Sequence, residues 1–280
     1  MSLLVRVGIS LAVALALSIR GYRKHSLSTS GSVAAFFVGW LTMSSGYSFG
    51  GVLLAFYFSG SKLTKLKEKV KKSLDENYKP GGRRDASQVL ASSFIGTVLA
   101  LVWLVRELEQ QSSVIIGEDR MTRFLLATYL GNYACCTADT WASELGVLSK
   151  SDPILITTLK RVPAGTNGGI TLLGIIASIS GGGFIGMIYY LFTYFTSHPQ
   201  AVWIPFSMLM GLFGSLVDSF LGATIQTTYY NQELRQICAV SSQKAHRHIS
   251  GRNICSNEAV NFLSALTTAI IGGLVAYCIL

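Results

Sequence analysis

Apolar residues fall into eight runs, at about 3–19, 31–46, 48–60, 88–105, 122–138, 170–196, 203–225 and 259–279, separated by polar or charged stretches. Each run suits a helix, and several approach the ~20 residues a straight helix needs to cross a bilayer. The pattern predicts an all-α polytopic membrane protein: one integral membrane domain over residues 1–280, built as a bundle of about eight transmembrane or half-membrane helices. The runs at 31–46 and 48–60 are the shortest and are parted only by a turn at Tyr47. They are read either as spans or as a re-entrant pair of buried half-helices. The run at 170–196 contains Ser180, Gly181, Gly182, Gly183 and Gly186. It is long enough to span with tilt and is expected to kink or break, although small residues at this density serve close helix packing more often than chemistry. Between the third and fourth runs lies a basic stretch, 62–87. There Lys62, Lys65, Lys69 and Lys72 recur at helical spacing beside Leu63, Leu66, Val70 and Leu74. This predicts an amphipathic helix on the cytoplasmic leaflet, its cations facing anionic lipid or the phosphates of a substrate.

Composition fits the same class. Half of the 280 residues are hydrophobic and only 13% are charged, against about 25% in soluble domains. The net charge of +9 does not indicate nucleic acid, because the basic residues are confined to loops between apolar runs. Alternating those loops puts 19 of the 23 Lys and Arg residues on one side, in the stretches 20–24, 62–84, 150–161 and 235–252. By the positive-inside rule that side is cytoplasmic, and both termini face away from it. An even number of helices preserves the sorting. Five cysteines (Cys135, Cys136, Cys238, Cys255, Cys278) show no Cys-x-x-Cys spacing, so packing is their expected role. The heavier charge after the first run (Arg20, Arg23, Lys24) argues for a retained span and not a cleaved signal.

Candidate chemistry concentrates in two stretches, 139–169 and 226–258, read as cytoplasmic loops that form the site. Asp139, Thr140, Ser143 and Glu144 close the fifth run. Five residues separate the two carboxylates, which sets them about 140° apart on a regular helix. They can bind one ion only if the helix ends or distorts near Ser143; otherwise they pair with Lys160 or Arg161. Hard oxygen ligands beside hydroxyls suit Mg2+ completed by substrate phosphates. Gly165, Thr166, Asn167, Gly168 and Gly169 precede the sixth run, and consecutive backbone N–H groups in such a turn can cradle phosphate. In the seventh run Gly211, Ser215, Asp218 and Gly222 form one small polar stripe that points Asp218 into the bundle, within reach of Asp139. A structural aspartate bonded to a nearby hydroxyl is the alternative. The last loop carries Lys244, His246, Arg247, His248 and Arg252, followed by Asn257 and Asn261. Its cations fit phosphate contacts or topology signals better than a zinc site. No His-Glu-x-x-His motif occurs.

Two further patterns bear on ancestry. Residues 28–33 resemble 165–170, each preceding a helix that runs outward from the cytoplasm, which allows an internal duplication. Four stretches, Asp139 to Glu144, Pro163 to Gly169, Gly214 to Thr224 with Gln226, and Ser59 to Lys65, together resemble the transmembrane protein nineteen family. That family lies within a group of integral membrane proteins that includes the plant phytyl-phosphate kinase, and the resemblance runs from about His25 to Asn261. It implies a prenyl- or isoprenoid-phosphate kinase-like membrane enzyme, with CTP or ATP as co-substrate. The residue chemistry then suggests Asp139, Glu144 and Asp218 as metal ligands. It suggests Gly165 to Gly169 with Lys244 and Arg247 as the phosphate cradle, and Lys160, Arg161 and Lys62 as catalytic cations. The alternative is a transporter or lipid carrier with intramembrane aspartates as coupling sites. The expected location is the endoplasmic reticulum or another endomembrane, with the site facing the cytoplasm.

Overall fold

The structure is a computed structural model describing residues 2–74, 82–110, 120–194, 200–238 and 246–279. Every apolar run forms a helix: α1 (Leu3–Arg23), α2 (Thr29–Ser45), α3 (Tyr47–Lys65), α5 (Ala86–Gln110), α6 (Arg120–Gly146), α7 (Leu172–Tyr194), α8 (Trp203–Ile225) and α9 (Asn257–Ile279), with a short α4 (Glu68–Lys72) after α3. Local signals set several starts. Ser28 caps α2, its hydroxyl accepting from the Gly31 N–H at 3.0 Å. Asp85 and Gln88 form a reciprocal capping box at α5, with Gln88 N–H to Asp85 Oδ1 at 3.1 Å and Asp85 N–H to Gln88 Oε1 at 3.2 Å.

The 27-residue α6 is the axis of the bundle, packed by α3, α5, α7, α8 and α9. Every residue from Leu125 to Ala138 is buried. A helix enclosed on all sides carries no outward polar face, and some of its polar groups find partners on neighbours. Tyr129 donates to Phe49 O at 2.7 Å and Asn132 Nδ2 to Ser92 O at 3.2 Å. Among the described residues five helices, α1, α5, α7, α8 and α9, have the length and apolarity to cross a bilayer. Apolar side chains such as Leu4, Ile9 and Leu15 on α1 or Leu172, Ile176 and Leu191 on α7 are exposed, as a lipid-facing surface requires. The turn between α2 and α3 is Gly46, and Tyr47 is already the first residue of α3. At 1.5 Å per residue these two helices are roughly 25 and 28 Å long, just under the ~30 Å hydrocarbon thickness.

Two expectations need correction. The run at 170–196 does not break within its described residues: α7 is continuous through its glycines. They are packing residues. An added Cβ at Gly181 would stand 3.1 Å from Ala138 Cα on α6, and one at Gly182 would meet Ser207 O on α8. The stretch 62–87 is not one amphipathic helix. The end of α3 and the five-residue α4 are separated by a left-handed Lys67 (φ 48°), and Lys71, between the Lys69 and Lys72 of the expected stripe, is buried at 5% exposure.

The four basic loops meet at one end of the bundle. Ser28 N–H donates to Arg84 O at 2.8 Å, Ile237 N–H to Leu74 O at 2.8 Å, and Arg252 N–H to Thr224 O at 3.0 Å. At the opposite end Arg6 on α1 pairs with Glu107 on α5 at 3.1 Å. The site end also carries strands that hydropathy did not reveal. They form two separate antiparallel sheets, one of β1 (Ile154–Leu155) and β2 (Gly169–Ile170) and one of β3 (Thr228–Asn231), β4 (Gln236–Cys238) and β5 (His246–Ser250) in the order β4-β3-β5.

A methyl group at Gly182 must push α7 off α8. Overpacking of this kind costs about 1–3 kcal/mol and sometimes more. Gly182→Val is expected to lower the melting temperature of detergent-solubilised protein by several degrees, whereas Gly8→Val, where an added Cβ meets nothing within 4 Å, leaves it unchanged. Equal melting of the two variants would show that this seam does not hold the bundle together.

Candidate functional site

At the end of the bundle where the basic loops gather, a cavity of about 520 Å³ is enclosed by the C-terminal ends of α3, α6 and α8, the N-terminal ends of α5, α7 and α9, and the β1–β2 loop. Its centre is a carboxylate pair. Asp139 of α6 and Asp218 of α8 stand in side-chain hydrogen-bonding contact. Asp218 Oδ2 accepts from the Ser264 hydroxyl at 2.8 Å and, with the Asn261 amide nitrogen turned toward it, from Asn261 at 3.2 Å. Among the described residues neither aspartate has an ion-pair partner. Two carboxylates in contact repel one another unless a proton or a cation lies between them.

Arg84 supplies the opposite charge. Its backbone is clamped by the α1–α2 connection, its N–H donating to Ser26 O at 3.0 Å and its carbonyl accepting from Ser28 N–H at 2.8 Å. From there the guanidinium reaches inward to stand 5.8 Å from the Phe56 ring centroid and beside Gly60 and Thr140. Burial lowers the guanidinium pKa from its ordinary value, and Tyr57 and Glu144 act in the raising direction; arginine keeps its charge regardless. It lines the cavity with Arg83 and forms no ion pair with any described residue.

Asp139, Glu144, Asp218 and Gly165 to Gly169 all line this cavity, but not all in the expected roles. Helix α6 stays regular to Gly146, so the distortion that Asp139 and Glu144 need to share an ion is absent. Glu144 is instead paired with Lys71 Nζ at 2.5 Å, and the same ammonium donates to Leu63 O at 2.6 Å and Thr64 O at 3.2 Å. Among the described residues no three His, Cys, Asp or Glu side chains form a metal-binding group. The two aspartates therefore stand without Glu144.

The glycine turn is also less of a cradle than its sequence suggests. Thr166 N–H donates to Pro163 O (3.2 Å), Gly169 N–H to Thr166 O (2.9 Å) and Asn167 N–H to Thr228 Oγ1 (3.2 Å), so three of the five N–H groups are already satisfied. The start of α7 is capped too, Gly174 N–H donating to Thr171 Oγ1 at 3.0 Å. The glycines serve docking. Gly168 (φ 77°) lies so close to α8 that an added Cβ would overlap Ala223 and come 2.8 Å from its backbone nitrogen. Lys160 and Arg161 are exposed on the 154–161 hairpin, Lys62 is exposed on α3, and Arg247 is exposed in β5. None of the four lines the cavity. Lys244 lies outside the described residues.

Sequence reasoning passed over Arg84, Arg83, Lys71 and Gln88 as site residues. Arg84 did leave a trace: a cation two residues before α5 sits where the helix dipole disfavours positive charge. Adjacent arginines beside a capping aspartate are therefore out of place for stability alone.

Residues 12–269 match the protein family described as Integral membrane protein DUF92. The chain belongs to the DUF92 family. Relatives of this DUF92 chain include Protein PGR of Arabidopsis thaliana, 38% identical over 268 residues and covering 91% of each chain. An uncharacterized membrane protein of Methanocaldococcus jannaschii is 26% identical over 283 residues, covering 100% of this chain and 98% of its own. Protein VTE6, chloroplastic, of Arabidopsis thaliana is 29% identical over 201 residues, covering 71% of this chain and 56% of its own. No solved structure matches.

The Lys71–Glu144 pair is a structural strut between α4 and α6 in this DUF92 protein. Removing one partner of a buried pair costs about 3–5 kcal/mol, and the 18% exposure of Glu144 places this case at or below the lower end. Lys71→Met is expected to destabilise the protein in denaturant titrations, and Lys71→Met with Glu144→Leu to recover most of the loss. A double variant as unstable as the summed single variants would show that the pair is not coupled.

Proposed function

We propose that this DUF92 protein is a membrane phosphotransferase that moves a phosphoryl group from a nucleoside triphosphate to an isoprenoid or other lipid monophosphate. The observation that carries the reading is one cavity lined at once by the contacting Asp139–Asp218 pair and by the unpaired Arg84. Its volume of about 520 Å³ falls within the roughly 300–1,000 Å³ of small-molecule sites. Motif resemblance to the transmembrane protein nineteen family, in the group holding a plant phytyl-phosphate kinase, supports the same reaction class. The cavity is lined by one end of the helices only, which suits an enzyme better than a path open to both sides. The basic loops around it favour a cytoplasmic orientation.

The donor set fits magnesium: two carboxylates without a protein cation, beside the Asn261 amide and the Ser264 hydroxyl. Magnesium is commonly held by one or two carboxylates and completed by phosphate oxygens. Asp139 and Asp218 would hold it, and when bound it supplies charge neutralisation for the donor phosphates. Arg84 holds the acceptor phosphate and offsets the negative charge that otherwise keeps two phosphates apart. Arg83, exposed at the cavity edge, draws both ligands in. The acceptor oxygen bonds to the γ-phosphorus as the β,γ-bridging P–O bond breaks, releasing the nucleoside diphosphate. A phosphate oxygen is already ionised at neutral pH, so positioning and electrostatics suffice without a strong base.

Purified protein in lipid nanodiscs, given magnesium, labelled CTP or ATP and phytyl or geranylgeranyl monophosphate, is expected to form the diphosphate. Asp139→Asn, Asp218→Asn and Arg84→Gln are each expected to reduce the rate by about 10²-fold or more. Lys160→Ala, Arg161→Ala and Lys62→Ala are expected to stay within about twofold, as exposed changes away from the reacting atoms do. No diphosphate from any donor and acceptor pair, or full activity in Asp218→Asn, would overturn the proposal.

A further inference from the structure

Arg84 lines two more cavities. One, of about 110 Å³, lies between Arg84 and the Asp139–Asp218 pair. The other, of about 70 Å³, is almost wholly apolar and runs the opposite way between α1, α2, α3 and α5, walled by Ala14, Val38, Met43, Leu53, Phe56 and Val89. Its lining on α2 extends from Ala35 to Met43, which is roughly 12 Å along the helix axis and away from Arg84. A cation thus caps one end of an apolar slot, and the slot leads away from the polar chamber. An apolar void is unfavourable when empty and does not hold water, so its natural content is hydrocarbon.

The geometry points to this slot as the seat of the acceptor's hydrocarbon chain, with the acceptor a single-chain lipid monophosphate whose phosphate rests on Arg84. The inference rests on the phosphotransferase reading only in taking phosphate as the ligand of Arg84. Size sets the chain number. The slot has less than half the ~150 Å³ that houses one benzene ring, so it admits the first carbons of one chain and excludes a diacyl lipid. The remainder has a way out. Helix α1 leans chiefly on α2 and is tied to α5 at the far end by the Arg6–Glu107 pair, so the chain leaves between α1 and the α3–α5 side and continues into the bilayer. At the mouth Tyr57, which shares a 2.9 Å hydrogen bond with Ser26, sets the boundary between slot and loop.

Gly39 offers a direct test. It lines the slot, and an added Cβ would stand 3.5 Å from Ala14 Cβ and 3.7 Å from Met43 Cε. These are ordinary contacts, so a Cβ is accommodated there without displacing either helix, and a larger side chain takes up slot volume. The probe is a long-chain monoalkyl phosphate carrying a diazirine near the phosphate end, photolysed with the full-length protein in nanodiscs and mapped by mass spectrometry. Labelling is expected at slot residues of α1 and α2. Excess geranylgeranyl monophosphate should compete it away, and dioleoyl phosphatidic acid should not. Gly39→Leu should reduce labelling roughly tenfold, while Gly39→Ala, matched for melting temperature, keeps most of it. Labels spread over the outer lipid-facing surface and indifferent to Gly39→Leu, or equal competition by phosphatidic acid, would overturn the inference. Slot labelling without phosphoryl transfer from any donor would leave this inference standing and end the kinase reading. Transfer without slot labelling would do the reverse.

Discussion

Two carboxyl groups on different helices can touch inside a bundle only where the helix backbones come close. The seam of α6, α7 and α8 makes that possible because it carries little side-chain bulk. Gly181 lies against Ala138, Gly182 against Gly211, and Gly214 against Cys135. One helical step beyond Ala138 is Asp139, and one turn beyond Gly214 is Asp218. Small residues in membrane bundles are usually credited with stability, through van der Waals contact over a close approach. Here the same contact fixes where two acids meet, so the packing of the middle of the bundle determines the chemistry at its end.

Arg84 is the second constraint, and it is held differently. No helix carries it. Its backbone is paired on both sides with residues 26–28, so the connection between α1 and α2 acts as a short strand that aims one side chain. A long flexible arginine held only by its own loop would lose much of its charge to solvent and to rotamer freedom. Clamped at its Cα and laid beside Phe56, the guanidinium arrives in position at small further entropic cost. The peripheral α1–α2 pair, which contributes few of the polar groups of the chamber, thereby takes part in the site. It also walls the apolar slot that ends at the same guanidinium.

Helix number and type were legible in the amino-acid pattern because burial in lipid or protein demands continuous apolar runs, and all eight appear as helices. The convergence of Asp139, Asp218 and the glycine turn on one chamber was legible as well, since intramembrane acids have few places to go. What could not be read was which cations join them. Lys62, Lys160, Arg161 and Arg247 are near in sequence to the motifs, but solvation draws their side chains outward. Lys71 is buried and Arg84 half-buried through contacts with residues tens of positions away, Glu144 for the first and Ser26 with Phe56 for the second. Periodicity carries no information about such pairings. Nor did it reveal the five short strands, whose runs of two to five residues are shorter than any hydropathy window can resolve.

The glycine turn shows how a motif can be read correctly for place and wrongly for purpose. Its residues do face the chamber, yet most of its N–H groups are bonded within the protein, and Gly168 owes its identity to α8. A Cβ there would overlap Ala223, and the positive φ would strain any other residue. Thr228 accepts from Asn167 N–H in the same turn, so the loop joins α8, β3 and the β1–β2 hairpin in one rigid wall. A wall of this kind contributes shape and not charge. Charge in the chamber comes instead from side chains such as Asp139, Asp218 and Arg84, which come from α6, α8 and the approach to α5. They come from three different elements, so the geometry among them depends on the whole bundle being assembled, and a loop excised with its glycine motif would not retain it.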